Sequence, residues 1–377
     1  MLKTFKYRLY PNKNQANLLQ QSFGCVRFVY NWGLAEKTKE YNNTGITLSC
    51  FDLSVKLAQE LKKQHDWLNI PYSQCLQMSL RNLDNAYTKF FNKECKFPKY
   101  KKKGQCRKSC QYPQGVNIDW CRNYIKIPKI GKVKVVLHRK FTGKIKTVTV
   151  SQNAAGQYFI AVLADSNDAT QIKSKIDHNN AIGIDLGLKH FTCDTNGHKT
   201  QAPKPLKKVV KRIARLNSLK SKMRKGSNNK KRLQLKINKL YNKAKNIRHD
   251  FLHKLSHKLI RENQTICLET LGIQEMLQKS HVSGDISDVS WGIFIEYLKY
   301  KAEWYGGNIL QISPFLPSTK LCSECGHLEN GLTLSERKWT CAACNILHDR
   351  DINAAKNIKH FALVGNQPKS PLKREVA

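Results

Sequence analysis

The stretch AIGIDLGLKHF (residues 181–191) sets a single acid, Asp185, in a short apolar run with a glycine two positions away on either side. Side chains of a strand alternate, so Ile182, Ile184, Leu186 and Leu188 are expected on one face and Gly183, Asp185 and Gly187 on the other. No side chain then stands beside the carboxylate on its own face. Burying an unpartnered ion is expensive, and a glycine inside a strand marks close approach by a ligand or by another backbone. Something cationic, and something bulky, is expected beside Asp185.

Two more acids share this character. Glu269 lies in another apolar, strand-like run, QTICLETLGI (264–273), and Asp351 opens a helix in HDRDINAAKNI (348–358). Ala354, Ala355 and Ile358 give that helix a slim inner face able to approach a sheet closely. Asp349 is placed to cap it, which leaves Asp351 in the first turn, where the helix dipole favours an anion. Acids in the order strand, strand, helix converge on one sheet edge in an RNase H-like fold. Carboxylates gathered there can hold two Mg²⁺ ions, one activating a water and one stabilising the leaving oxygen of a phosphodiester. The glycines beside Asp185 are then expected to admit the strand being cut.

Between Glu269 and Asp351, CSECGHLENGLTLSERKWTCAAC (322–344) carries two C-x-x-C pairs, Cys322 with Cys325 and Cys341 with Cys344, separated by 15 residues. Two such knuckles supply four thiolates to one tetrahedral Zn²⁺. With four protein ligands the site is closed, so this zinc is structural and takes no part in hydrolysis.

Lys plus Arg number 66 against 27 for Asp plus Glu, a formal charge of +39 on 377 residues, of which 40% are apolar. Such a chain can build two or three cores, and its surplus charge calls for a polyanion, nucleic acid before an anionic membrane. No apolar run reaches the roughly 18 residues that span a bilayer, and MLKTFKYRLYPNK at the start lacks a signal-peptide apolar segment. The 13 cysteines are odd in number and, outside the two knuckles, scattered, which points to a reducing compartment. Cys106 and Cys110 lack a second pair to complete a metal site. The expected location is the cytoplasm, associated with a bacterial nucleoid.

KTFKYRLYP (3–11) alternates as a strand. Helical spacing follows from Gln15, with Leu19, Phe23, Val26 and Tyr30 on one face, and again with Leu76, Leu80, Leu83, Tyr87 and Phe90. KFFNKECKFPKYKKKGQCRKS (89–109) then interleaves aromatics with nine basic residues and one acid. There Phe97 and Tyr100 are expected to stack on bases while Lys101, Lys102 and Lys103 hold phosphates. Residues 116–164 read as β-hairpins of a small barrel or sandwich, and a polar linker puts the main boundary near residue 175. Residues 204–248 hold eighteen Lys or Arg and no acid. Leu233, Ile237, Leu240, Ala244, Ile247 and Phe251 follow helical spacing there, and KGSNN (225–229) breaks an earlier helix. A basic helical hairpin is expected, contacting phosphates through Lys207, Lys208, Lys211 and Arg212.

Taken together these motifs resemble the TnpB family, the OrfB proteins of small bacterial insertion sequences and relatives of type V CRISPR effectors. The likeness is carried by KYRLYPNKNQANLLQQSFGCVRFVYNWGL (6–34), GIDLGLKHF (183–191), FLHKLSHKLIREN (251–263), ICLETL (266–271), SWGIFIEYLKYKAEWYGGNI (290–309), PSTKLCSECG (317–326) and WTCAACNILHDRDINAAKNI (339–358). It covers nearly the whole chain. The resemblance implies a multi-domain α+β protein, with a β-barrel-like wedge domain (1–10 and 113–172) carrying a helical recognition insert (11–112). After it come an RNase H-like, RuvC-type α/β nuclease domain (178–319 and 347–364), an inserted zinc ribbon (320–346) and a disordered tail (365–377). It further implies Asp185, Glu269 and Asp351 as the metal-binding acids, a guide RNA from the transposon end, and cutting of double-stranded target DNA beside a short adjacent motif. Thr270 stands where family members often have Asp after the second acid.

The expected function is thus an RNA-guided, Mg²⁺-dependent DNA endonuclease in which base pairing carries the specificity. Three rivals stay open: a transposase joining DNA ends, a nuclease-inactive RNA-guided repressor, and a zinc-ribbon nucleic-acid binder without catalysis. Fold alone does not separate the first. Loss of an acid would mark the second, and none is lost; the third leaves three acids unexplained.

Overall fold

The computed structural model describes residues 1–166, 171–279, 283–333 and 336–365, so the tail expected at 365–377 lies, beyond its first residue, outside the described residues. The chain divides into two compact units, Met1–Ala169 and Thr170–Ala377, a few residues before the boundary expected from the linker. Among the described residues no helix is long and apolar enough to cross a membrane.

In the first unit, β1 (Leu2–Tyr10) turns Tyr7 and Leu9 inward, and Asn12 then caps α1 (Lys13–Thr44). The Asn12 side chain accepts the Gln15 N–H at 2.9 Å while the Gln15 side chain accepts the Asn12 N–H at 3.1 Å, a reciprocal capping box. α2 (Cys50–Lys56) leads through a π-helical turn (Leu57–Leu61) into α3 (Lys62–Gln64), and α4 (Ser73–Phe91) returns against α1. Val29, Leu34, Leu53, Leu76, Leu80 and Leu83 form the core of these helices. β2 (Lys108–Tyr112), β3 (Asn117–Asp119), β4 (Tyr124–Ile127), β5 (Gly131–Val136), β6 (Lys144–Gln152) and β7 (Tyr158–Asp165) join β1 in one antiparallel sheet of order β2-β6-β7-β1-β5-β4-β3. Inward side chains from β2 through β4 meet in a single cluster with Leu19 and Phe23 of α1. The sheet and α1 thus share one core, with β2 and β3 as the end strands. The helical segment expected over 11–112 ends earlier, because Lys108–Tyr112 is an edge strand paired with β6. Only Cys110 and Tyr112 mark its period of two, within a run that composition assigns to a basic loop.

The second unit opens with β8 (Ala181–Asp185) and the hairpin β9 (Thr192–Asp194) and β10 (Lys199–Thr200), followed by α5 (Pro205–Ser221), α6 (Asn228–Glu262) and β11 (Thr265–Glu269). Then come α7 (Ile273–Lys279), α8 (Ser283–Val289), α9 (Trp291–Tyr305), β12 (Asn308–Ile312), β13 (Lys338–Thr340), β14 (Leu347–Asp349) and α10 (Arg350–Val364). The sheet order is β10-β9-β8-β11-β12, with β8, β11 and β12 parallel and β9 antiparallel. β8 and β11 are buried up to their terminal acids, as parallel strands covered on both faces are. Ile182, Ile184, Ile266 and Leu268 pack against Leu252, Leu259 and Ile260 of α6 and Phe294 and Leu298 of α9, while Cys267 meets Ile358 and Phe361 of α10.

The glycines flanking Asp185 make room for the chain itself and not, as expected from the sequence, for a nucleic-acid strand. A Cβ on Gly183 would run into the Ala355 carbonyl oxygen and come within 2.8 Å of Lys359 Cβ, and one on Gly187 would come within 2.9 Å of the His190 carbonyl oxygen. α10 thus lies directly on β8 through its alanine face. Gly183→Ala is expected to push α10 outward at a cost of about 1–3 kcal/mol, typical of overpacking. Thermal unfolding of the Thr170–Ala377 unit should fall by several degrees, and an unchanged melting temperature would refute this packing.

α5 and α6 form the basic hairpin. Leu233, Ile237 and Ala244 are buried in its seam, but Ile247, expected there, is exposed. Beyond the reach of α5, α6 turns Leu252, Leu259 and Ile260 to the sheet instead. The hairpin is anchored by Asp288 of α8. That carboxylate accepts the Leu206 and Lys207 N–H groups at 3.0 and 3.2 Å and pairs with Arg248 of α6 at 2.6 Å.

Candidate metal and nucleic-acid sites

Ile184 of β8 and Leu268 of β11 are register partners, so the next residue on each strand, Asp185 and Glu269, leaves the sheet at the same edge. α10 brings the third acid. Its N-cap is Asp349, whose side chain accepts the Asp351 and Ile352 N–H groups at 3.1 and 3.3 Å, and Asp351 follows in the first turn. Burial, and next the nearby charges of Asp351 and Glu269, push the Asp185 carboxyl up to about 7. Burial also raises Glu269. Among the described residues neither Asp185 nor Glu269 forms an ion pair. Asp185 and Glu269 are thus partly buried carboxylates without an ion-pair partner of their own among the described residues, with the Asp351 charge close to Asp185. Oxygen donors of this kind suit a hard divalent cation.

Asp349 has a different occupation. Burial alone would raise its carboxyl, but the Lys199 ammonium at 2.6 Å and the helix N–H groups outweigh it and hold it below the usual range. Asp351 is instead met by Arg337, whose Nη1 stands 2.9 Å from Oδ1. Lys199 and Arg337 were not legible as site residues: one sits in a polar hairpin and the other in a charged loop before Trp339.

The sulfur atoms of Cys322, Cys325, Cys341 and Cys344 all lie within 4.8 Å of one another, and no disulfide joins them. Among the described residues this is the one group of His, Cys, Asp and Glu donors drawn so close. Four clustered thiols without a disulfide fit a tetrahedral soft-metal site. His348 on β14 places Nε2 3.0 Å from Cys322 Sγ and packs on Trp339 of β13. The first knuckle is clamped to α10, since the buried Asn353 and Asn357 side chains both donate to the Leu321 carbonyl, at 2.7 and 2.6 Å. Neither asparagine stands out in the sequence, since the helical period there is carried by Ala354, Ala355 and Ile358.

Of the expected nucleic-acid contacts, Tyr100 and Phe97 are 55% and 48% exposed, Phe97 resting edge-on against Tyr87 and Phe90. Lys102 and Lys103 face solvent. Lys101 does not: its ammonium lies over the Tyr30 ring at 3.4 Å, burial lowers its pKa, and its backbone exchanges two hydrogen bonds with the Asn31 side chain. Lys207, Lys208, Lys211 and Arg212 are all exposed on α5, around the buried Ile213.

Residues 163–280 match a family model described as "Probable transposase", residues 291–358 one described as "Cas12f1-like, TNB domain", and residues 1–45 one described as "Helix-turn-helix domain". A "Putative RNA-guided DNA endonuclease" of Streptomyces pristinaespiralis is 35% identical over 361 residues, covering 94% of this chain and 88% of that one. The chain belongs to the TnpB (OrfB) family. A relative of the same description from Escherichia coli K12, InsQ, is 31% identical, with 95% and 91% of the two chains covered. Among solved structures, a chain of the Cas12f1–sgRNA–target DNA complex superposes with a TM-score of 0.57 at 14% identity, covering 95% of this chain and 98% of that one. That likeness concerns the fold.

Proposed function

We propose that this TnpB-family protein is a guide-RNA-directed endonuclease that cuts double-stranded DNA in an RNase H-like, RuvC-type domain. The observation that carries the reading is the placement of Asp185 and Glu269 at adjacent strand ends, within reach of the Asp351 charge, in a sheet whose strands, numbered from β8 as the first, run in the order 3-2-1-4-5 with only the second antiparallel. Asp185, Glu269 and Asp351 would hold Mg²⁺ ions, which supply an activated water and a charge sink for the leaving oxygen of the phosphodiester. Asp185 and Glu269 keep fixed positions because their strands are buried up to the preceding residue. Asp351 is fixed by the helix cap and by the contact of α10 with Gly183. Zn²⁺ in the four-cysteine cluster holds the ribbon together and, with no open position, does no chemistry. The names of the two relatives support guidance by RNA.

Sequencing RNA that copurifies with the protein tests the reading. One discrete species, together with Mg²⁺-dependent cutting of DNA complementary to it, is the expected result; random RNA, or joined rather than cut ends, would overturn it. The basic hairpin supplies a second measurement. Neutralising Lys207, Lys208, Lys211 and Arg212 should weaken binding and lower the slope of log K against log salt by roughly 0.7 to 0.9 per lost phosphate contact. Sequence choice should not change, because backbone contacts carry none. Phe97→Ala or Tyr100→Ala should cost affinity with little change in slope, since stacking is not ionic.

A further inference from the structure

Phe315 is 93% exposed in a loop whose Leu316 and Ser318 are held against the fold. β12 ends at Ile312, the register partner of Glu269, and the Ile312 carbonyl accepts the Thr270 N–H at 3.0 Å. Three residues further on, Phe315 lies at most about 10 Å from that strand end. Its backbone therefore lies close to the end of the sheet where Asp185 and Glu269 stand. The loop is fixed on both sides of the ring. Leu316 packs against the cluster of Cys267, Ile312, Leu321, Ile358 and Phe361, its N–H donates to the Ser313 carbonyl, and the Ser318 carbonyl accepts from the Asn357 side chain at 2.8 Å. Leu316 thus fills the apolar place this loop has to offer, and folding alone gives no reason for a phenyl ring at 315. Lys320 in the same loop and Lys189 in the loop after β8 are exposed, and residues 313–320 contain no acid.

We propose that the Phe315 ring is a stacking platform for an unpaired base of the DNA strand led to Asp185, Glu269 and Asp351. This rests on the nuclease reading above. A solvent-facing aromatic on an anchored loop without acids suits a single strand, because every base offers a π-face and none needs to be read by its edge.

The test uses the full chain with its copurified RNA and DNA carrying 2-aminopurine at successive positions around the cut. Binding is measured in an Asp185→Asn background so that no cutting intervenes. Quenching at one or two positions is expected, and Phe315→Ala should abolish it and weaken binding of an unpaired strand by roughly 5- to 100-fold. Phe315→Trp should restore both. With the acids intact, Phe315→Ala should raise KM more than it lowers kcat. Quenching that is unchanged in Phe315→Ala, or absent at every position while the intact protein still cuts, would overturn the platform alone. Quenching that depends on Phe315 in a protein that never cuts would overturn the nuclease reading and leave the platform as a single-strand binding site.

Discussion

Asp185→Asn should lower DNA cleavage by roughly a thousandfold or more, while RNA retention and DNA binding stay close to those of the unaltered protein. Loss of a single electrostatic contact to the transition state costs about 10² to 10³ elsewhere, and Asp185 is flanked by both other acids. The same substitution should act on stability in the opposite direction. Folded, this carboxyl keeps its proton up to about pH 7, against an ordinary value of 3.8. Its ionisation therefore opposes folding, and the opposition grows as pH rises from about 4 through 7. Without divalent ions at pH 8, Asp185→Asn should melt higher than the unaltered protein, and Mg²⁺ should raise the melting temperature of the unaltered protein far more than that of the variant. Asp351→Ala should match Asp185→Asn in lost cleavage. Asp349→Ala should be much milder, because that carboxylate is engaged by the helix N–H groups and Lys199, and losing a cap costs about 0.5–2 kcal/mol of stability rather than chemistry. An Asp349 variant more damaging to cleavage than the Asp351 variant would mean the third acid is misassigned.

The places of Asp185 and Glu269 at strand ends and of Asp351 in a first helical turn were legible in sequence for a physical reason. Residues 181–184 and 266–268 carry no polar side chain, so the acid that follows each is expected where the buried strand ends, and the cap preference of Asp349 separates it from Asp351. What fills the space beside a glycine is not legible, because the alternation that isolates Gly183 says nothing of whether a ligand or the alanine face of α10 arrives there. Lys101 shows the same limit. Within three consecutive lysines, only the fold decides that one is drawn over Tyr30 and held by Asn31. Arg337, just before β13, and Lys199, on β10, carry charges that look solvated in sequence, and only the fold sets them beside Asp351 and Asp349.

Loss of zinc should unfold residues 320–346 and lower cleavage as well. The ribbon has little to hold it otherwise. Its core is Cys322, Trp339 and Cys341, with Cys325, Leu332 and Cys344 only partly covered, too few apolar side chains for a segment this short to fold unaided. Metal binding contributes about 10–16 kcal/mol in comparable four-ligand sites, and much of that is folding free energy. Two bonds then couple the ribbon to the third acid: Arg337 pairs with Asp351 through its side chain, and its carbonyl accepts the Arg350 N–H at 2.9 Å. β14 continues directly into α10, so the His348 contact with Cys322 ties the helix start to the metal cluster. Chelation or Cys341→Ser should therefore release one zinc per chain, expose the segment to protease, and reduce cleavage by roughly 10- to 100-fold, as loss of supporting contacts around a metal site does. Arg337→Ala separates the two effects. It should keep the zinc and the protease resistance and lose only the cation held against Asp351. A zinc-free preparation that stays protease-resistant would remove the basis for a structural metal, and cleavage unaffected by loss of the ribbon's fold would break the link from the ribbon to Asp351.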